Sequence, residues 1–553
     1  MVSVDKDGSL ESRINASFMN EQSYFKGLTN DPYGVGTGKI DLTFANQAYW
    51  IVPEDNALRG TLTLRNGRVY VGGTPDMFSS TTHNKSAVLD NARTLTLDNL
   101  AGSGGIFYLR ADIASDNADR IVVKNGEGNH SLMVRSTGAE PSAARMNTYL
   151  ASLKNGSANF TLANRDGKVD AGTFQYILKN ENTGSGKGWY LAQDDGSDTP
   201  PPIVPDAPYT PPPSTVPEAR PRLTPAAETA LSLSNSHIRM RSVQANNMPV
   251  RLRDLRQHAL SNRSAQGSET SGSATAASPR SGIASLALNG WADSFGQTGR
   301  FKSFEGSRYD QDVYGLALGA DKQFREKNAV WFLGARGQYT KADQKLNDHV
   351  GRGDGNSKGL ALYGIWIHES GWYANAILSA DHYRQHLEAY QTDGTSARGH
   401  YGVWGYGANL EVGKHIPLAN RFFLEPQVIL DYYRVNGVSY TLDNDLDIDA
   451  DAVNYLSGKA GLRVGQNWKT GERQYLEYFL KGGISHEFDS KQRMVTNNTY
   501  VFSDDFKGNR LFYGMEVSGS LNKYVRLYGQ IEREKGDDFD TDWTFNAGLR
   551  LSF

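Results

Sequence analysis

Residues 543–553 read Trp-Thr-Phe-Asn-Ala-Gly-Leu-Arg-Leu-Ser-Phe. Trp543, Phe545, Ala547, Leu549, Leu551 and Phe553 fall on one face, and Thr544, Asn546, Gly548, Arg550 and Ser552 on the other. Side chains along a strand point alternately to its two sides, so the segment predicts a strand with one apolar and one polar face. Such a strand, ending on an aromatic residue, is the pattern expected of the closing strand of an outer-membrane β-barrel.

Working backward from it, twelve strand-length segments are predicted near 285–296, 309–324, 329–343, 356–370, 371–387, 399–416, 422–437, 457–468, 475–488, 509–522, 524–536 and 541–553. Leu511, Tyr513, Met515 and Val517 oppose Gly514, Glu516 and Ser518, and Leu476, Tyr478, Leu480 and Ile484 oppose Glu477, Lys481 and Ser485. Short connections (Glu369-Ser370, Asn522-Lys523) alternate with long ones (Lys341–Gly355, Ser439–Leu456, Asp489–Gly508). An even number of strands with turns short on one side and long on the other is the membrane-barrel pattern. Asn375, Asp381, Glu411, Glu425, Asp431, Glu477, Glu516 and Glu532 land on the polar faces, which predicts an acidic lumen.

Hydropathy would miss such a barrel. Mean hydropathy is −0.54, and no apolar run approaches the roughly 20 residues that a spanning helix needs. A barrel escapes that test because half of each strand faces a polar interior. The absence of cysteine excludes disulfides, thiolate metal sites and cysteine nucleophiles. A net charge of −3 gives no reason to expect a nucleic-acid partner. The start, Met1-Val2-Ser3-Val4-Asp5-Lys6, lacks the basic-then-apolar pattern of a signal peptide. The expectation is therefore the carboxy-terminal part of a longer secreted precursor.

Upstream of the barrel the character changes twice. Residues 1–198 carry short strands such as Leu62–Leu64, Val69–Val71, Leu95–Leu97, Ile106–Leu109, Ile121–Val123 and Leu132–Val134, separated by turns such as Asn66-Gly67 and Asn125–Gly128. Their spacing suits a β-solenoid or a sandwich, and no strict period chooses between them. Residues 199–224 form a proline-rich, extended linker. Thr224-Pro225 offers an N-cap followed by proline at the first helical position. Residues 225–282 are then read as a helix reaching about Gln257, interrupted by Pro249, and a Ser/Gly/Ala-rich segment leading into the barrel at 283–553. The helix is basic (Arg239, Arg241, Arg251, Arg253, Arg256), so an acidic lumen would attract it as the occupant of the pore.

This order of parts resembles a type Va autotransporter of the pertactin family. The stretch Phe160-Thr161-Leu162-Ala163-Asn164-Arg165-Asp166-Gly167-Lys168-Val169-Asp170-Ala171-Gly172-Thr173, ending at Gly188-Trp189-Tyr190-Leu191, is similar to the cap of the pertactin passenger. So is Leu100–Gly105 leading to Ala118–Val123. The resemblance implies an all-β fold: a right-handed parallel β-helix passenger end with an autochaperone cap, a pore-filling helix, and a twelve-stranded translocator barrel in the outer membrane. It implies display of the chain's own passenger at the cell surface. Its implied partners are outer-membrane lipid and lipopolysaccharide, the Bam assembly machinery reading Phe553, the passenger itself and a host-cell receptor, with no nucleic acid and no cofactor or metal.

One stretch of the helix suggests chemistry. Asn246-Asn247-Met248-Pro249-Val250-Arg251 resembles the linker of the serine-protease autotransporters, in which an asparagine side chain attacks its own backbone carbonyl. By that resemblance Asn246 is the nucleophile, Asn247 follows the cleaved bond, and Glu411 and Glu425 assist. Asn375 stands where the family has a key aspartate, and Pro249 disturbs the presenting helix. Three other patterns read as bland. Arg352-Gly353-Asp354 is expected in a Gly-rich outer loop, where coincidence is favoured over integrin recognition. The run Asp443, Asp445, Asp447, Asp449, Asp451 lacks the glycine and glutamate of a calcium loop. His382 and His386 lie on a strand with no glutamate after His382, unlike a zinc-protease helix.

Overall fold

The computed structural model describes residues 13–29, 38–79, 89, 91–141, 147–196, 221–234, 236–245, 288–302, 308–346, 350–469, 474–505, 507–522, 524–536 and 539–551. The first part is a parallel β-helix, which decides between the two solutions that spacing left open. One of its sheets runs through Arg13–Phe18, Lys39–Ala45, Asn56–Arg65, Thr94–Ser103, Arg120–Gly126 and Thr148–Gly156, all paired in parallel. The other stacks Tyr24–Lys26, Tyr49–Val52, Arg68–Val71, Ile106–Asp112, Asn129–Ser136 and Asn159–Leu162 in the same way. Inward-facing Leu64, Leu97, Phe107, Val123, Leu132 and Leu153 fill the space between them.

The turns must be as closely stacked as the strands. Gly128 has φ +88°, and a Cβ there would lie 1.7 Å from the carbonyl oxygen of Gly102 on the rung before. Only glycine satisfies both the left-handed backbone and that approach.

A parallel stack leaves its last edge open, and open edges invite pairing with other chains. Here the edge of Thr148–Gly156 is taken by Gly186–Gln193, which pairs antiparallel and continues into Phe174–Thr183 and Lys168–Ala171. Trp189 packs edge-on against Phe160, at 5.0 Å between ring centres, closing the apolar interior.

The chain re-enters the described structure beside this cap, where Leu223 bridges to Phe174. The Thr224 hydroxyl accepts from the Ala227 amide at 3.2 Å and donates to the Gly172 carbonyl at 3.1 Å. The N-cap therefore starts the helix Pro225–Leu233 and fastens it to the passenger. A second helical run covers 236–245. The rest of the predicted helix, including Asn246, Asn247 and Pro249, lies outside the described residues, as does Phe553.

The barrel has twelve long antiparallel strands: Leu288–Lys302, Arg308–Arg325, Ala329–Leu346, Gly351–His368, Trp372–Tyr390, Ser396–Lys414, Phe422–Val435, Val453–Lys469, Tyr475–Asp489, Gly508–Ser520, Val525–Gly536 and Phe539–Leu551. The first and last pair with one another, so the sheet is closed and has no edge. Leu360, Leu362, Leu378 and Leu480 are more than 60% exposed and point outward, as lipid-facing residues do.

The three long connections differ from expectation in an informative way. The segment 341–355 is mostly strand, because Ala329–Leu346 and Gly351–His368 extend far above the wall. Arg352-Gly353-Asp354 is therefore part of a strand rather than a loop. Its glycine has a local cause: Gly351 and Gly353 face inward, where an added Cβ would meet Thr229 at 2.1 Å and Leu233 at 2.5 Å. The glycines make room for the helix, while Arg352 projects outward and is ion-paired with Glu388 at 2.6 Å. The other two long connections fold into a small sheet of Val438–Thr441, Asp447–Ala450, Lys491–Thr496 and Tyr500–Asp505. Within it Asp447 accepts from Thr441 and Asp449 from Ser439, so these acids serve turn and sheet rather than an ion.

Candidate functional site

The pore and the surface it opens on form one continuous site. Asn375 and every acid assigned to the polar faces (Asp381, Glu411, Glu425, Asp431, Glu477, Glu516 and Glu532) are buried inside the barrel. The helix answers two acids of the lumen. Arg241 pairs with Asp431 at 3.1 Å and lies over the Tyr433 ring at 5.1 Å, while Arg239 reaches Glu487 at 3.7 Å. Gln244 donates from Nε2 to Thr340 and Ser357, each at 2.9 Å. His237 sits between Tyr383 and Tyr401, with ring centres 5.3 and 5.5 Å away. Apolar helix residues Ala226, Ala230, Leu231 and Met240 share one buried cluster with wall residues including Phe301, Val313 and Leu387.

The acidic-lumen expectation was incomplete in one respect. Much of the acid is met by cations of the wall itself. Lys459 binds Glu534, Lys481 reaches Glu516 at 3.0 Å and Glu532 at 2.5 Å, and Arg510 reaches Glu487 at 2.7 Å. These cations occupy inward positions of their own strands, and reading the lumen face for cations as well as acids would have found them.

The two glutamates implicated by resemblance meet at one arginine. Arg463 lies 3.4 Å from Glu411 and 3.9 Å from Glu425. Asn375 donates to Glu411 at 3.2 Å, and His415 Nδ1 lies 2.6 Å from Glu425. The described helix ends above them, with the Gln244 carbonyl accepting from Arg336 at 3.4 Å. Asn246 and Asn247 follow it outside the described residues.

At the other end of the pore the passenger cap rests on the barrel's outer connections, a contact that sequence reasoning did not anticipate. The Thr392 amide and hydroxyl both donate to Asp170, at 2.6 and 2.8 Å, and the Arg165 amide donates to the Thr392 carbonyl at 2.7 Å. Arg135 pairs with Asp393 at 3.4 Å. Thr173 and Thr496 share a hydrogen bond of 2.8 Å, Asn497 donates to Glu140 at 2.7 Å, and Phe174 packs edge-on against Tyr500 at 4.6 Å. The same small sheet holds the helix, since Ser234 donates to Gln492 at 3.1 Å. Burial pushes the Asp170 carboxyl up to about 6, against the hydrogen bonds it accepts, and also raises that of Glu140.

A closed barrel, a helix lodged in it and a β-helix seated over its mouth define a polypeptide that occupies its own pore. The family model of the autotransporter β-domain matches residues 290–532, and the pertactin model matches residues 60–193. Over these two stretches the chain matches the pertactin-like autotransporters, with a parallel β-helix followed by a translocator-type barrel. It is 28% identical to the pertactin autotransporter of Bordetella bronchiseptica over 559 residues, covering 94% of this chain and 56% of the relative. It is 27% identical over 560 residues to the autotransporter adhesin/invasin TibA of Escherichia coli, covering 95% of this chain and 52% of the relative. The chain thus spans about half the length of these curated relatives. The crystallised β domain of the Bordetella autotransporter Brka is 27% identical, with a TM-score of 0.42, and covers 48% of this chain and 100% of that one.

Proposed function

We propose that the chain moves its own β-helical passenger across the outer membrane and then holds it at the cell surface. The observation that carries this reading is continuity. One polypeptide runs from the cap through the Thr224 N-cap into the pore, with the cap hydrogen-bonded to the outer connections of that same barrel. Barrel closure leaves no unpaired strand edge in lipid. The helix fills the channel once transit is complete, and a folded cap too wide for the pore prevents the chain from sliding back. Recognition of the terminal aromatic strand by the Bam machinery would place the barrel in the membrane.

The absence of cysteine provides a clean test. Gly184 has open space around it at the tip of the cap hairpin. In intact cells, Gly184→Cys should react with a membrane-impermeant maleimide, and Glu369→Cys in a turn at the opposite end should not. Protection of Gly184→Cys in intact cells, with labelling only after lysis, would refute surface display.

Self-cleavage at Asn246-Asn247 is a second reading, favoured by the buried Glu411 and Glu425 below the end of the helix. An Asn246→Ala variant that abolishes a barrel fragment beginning at Asn247 would establish it, and an uncut wild-type chain would refute it. Adhesion to a host-cell receptor is suggested by the name of the TibA relative. Cell binding that survives removal of residues 1–195 would assign that activity to the barrel's outer connections.

A further inference from the structure

The outward face of four neighbouring strands carries cations just above its lipid-facing leucines. Cross-strand register aligns Tyr339, Lys358, His382 and Trp404 in one row. The next row outward aligns Lys341, Asn356 and Arg384. The row below Lys358 is the apolar band, with Leu360 directly opposite Ala380. Side chains on one face recur every two residues, about 7 Å along a strand. The cations therefore begin where hydrocarbon gives way to headgroups. That the passenger docks above the same end identifies this as the outer leaflet.

Some outward cations elsewhere on the rim are paired with carboxylates. Arg300 and Arg533 both lie beside Asp542, at 3.2 and 3.8 Å. Lys341 has Asp343 at 3.5 Å and the Tyr314 ring at 5.9 Å. Lys358 and Arg384 have no carboxylate within ion-pair distance among the described residues, although both are exposed. His382 lies against Trp404, with ring centres 5.0 Å apart, giving the row a flat aromatic margin. Arginine and lysine on neighbouring strands, flanked by Tyr339 and Trp404, suit a phosphate on a sugar: cations for the phosphate and aromatic edges at the interface for the ring.

We propose that this patch on the strands Ala329–Leu346, Gly351–His368, Trp372–Tyr390 and Ser396–Lys414 binds the phosphates of the outer leaflet's phosphorylated glycolipid. The proposal rests on the outer-membrane reading of the barrel. A glycolipid bound on one side only would orient the barrel against its lipid neighbours and brace the strands whose inner face holds the helix.

The test uses the full chain folded in detergent micelles, with folding verified by faster gel migration when unboiled. Native mass spectrometry then measures binding of bis-phosphorylated lipid A, of the same lipid stripped of phosphate, and of phosphatidylglycerol. Lipid A should bind at least about tenfold more tightly than its phosphate-free form. The variant Lys341→Ala/Lys358→Ala/Arg384→Ala should weaken it roughly ten- to hundredfold. The control Lys322→Ala/Arg325→Ala/Lys414→Ala, which removes the same charge from the opposite end, should bind like the parent. If the first variant fails to fold, Arg384→Gln alone carries the test, with an expected loss of roughly fivefold. Indifference to phosphate, or unchanged binding by the patch variants, overturns the proposal, and phosphatidylglycerol bound as tightly overturns the glycolipid assignment. A chain that shows no heat-modifiable band in any amphiphile contradicts the barrel reading itself.

Discussion

The carboxylate of Asp170, in the passenger cap, accepts both the amide and the hydroxyl of Thr392, in an outer connection of the barrel, at 2.6 and 2.8 Å. Two parts built on different architectures are thereby held in one register, by a residue of each that hydropathy would place in a loop.

That contact should depend on pH. Burial raises the Asp170 carboxyl from 3.8 to about 6 in the docked state, so docking takes up a proton. Its stabilising share is complete below about 4 and is lost as pH rises through about 6. Glu140, also raised by burial, acts with the same sign, while the facing Arg135 is engaged with Asp393. Hydrogen-exchange protection at residues 165–175 and 391–395, after division by the base-catalysed intrinsic rate, should be greater at pH 5 than at pH 7.5. In Asp170→Asn that difference should shrink, and an unchanged difference would exclude Asp170 as its source.

Arg241 and Asp431 form the shorter of two buried ion pairs described between helix and wall. Removing one partner leaves a buried charge without its counter-ion, at a cost of about 3–5 kcal/mol. Arg241→Ala and Asp431→Ala should each raise the conductance of the barrel in planar bilayers, and the double variant should leak less than the two single effects added together. Strict additivity would show that the pair does not hold the helix.

Much of this arrangement is legible in the chain, and the reasons it stops being legible are physical. Strands half in lipid and half in a polar lumen must alternate, so Trp543, Phe545 and Leu549 announce themselves, and Thr224-Pro225 marks a helix start because its chemistry is local. The segment around Arg352-Gly353-Asp354 looks like a loop because its glycines answer a helix more than 100 residues earlier in the chain, which no window can register. The docking residues are small and polar, Thr173 and Thr392 in turns and Asp170 and Thr496 at the ends of short strands, and their pairing is a matter of three-dimensional proximity. The identity of Lys459, Lys481 and Arg510 as the lumen's own counter-ions was hidden by reading the polar faces for acid only.

Gly128→Ala should damage the β-helix selectively. It combines a φ of +88° with a Cβ 1.7 Å from the Gly102 oxygen, a strain of about 1–3 kcal/mol or more. The passenger should unfold at lower urea concentration and become protease-sensitive, while the barrel keeps its heat-modifiable migration. Equal sensitivity of both parts would mean they do not fold as separate units.

Trp189→Ala opens the capped end by removing a buried ring packed on Phe160. A loss of about 3–5 kcal/mol is expected for such a truncation. Surface-exposed passenger should become degraded by added protease, and Trp189→Phe should recover much of the resistance. Full resistance in Trp189→Ala would remove the cap from the account of passenger stability.

The passenger's end is seated on the outer face of the barrel that its chain passes through. Thr173 and Thr496 are 323 residues apart in sequence and hydrogen-bonded at 2.8 Å across that seat, in a chain with no native cysteine. Thr173→Cys/Thr496→Cys should form a disulfide on intact cells under mild oxidation, seen as a mobility shift that a reductant reverses. Two freely alkylated thiols in a chain whose barrel is folded would show that the β-helix is not seated there.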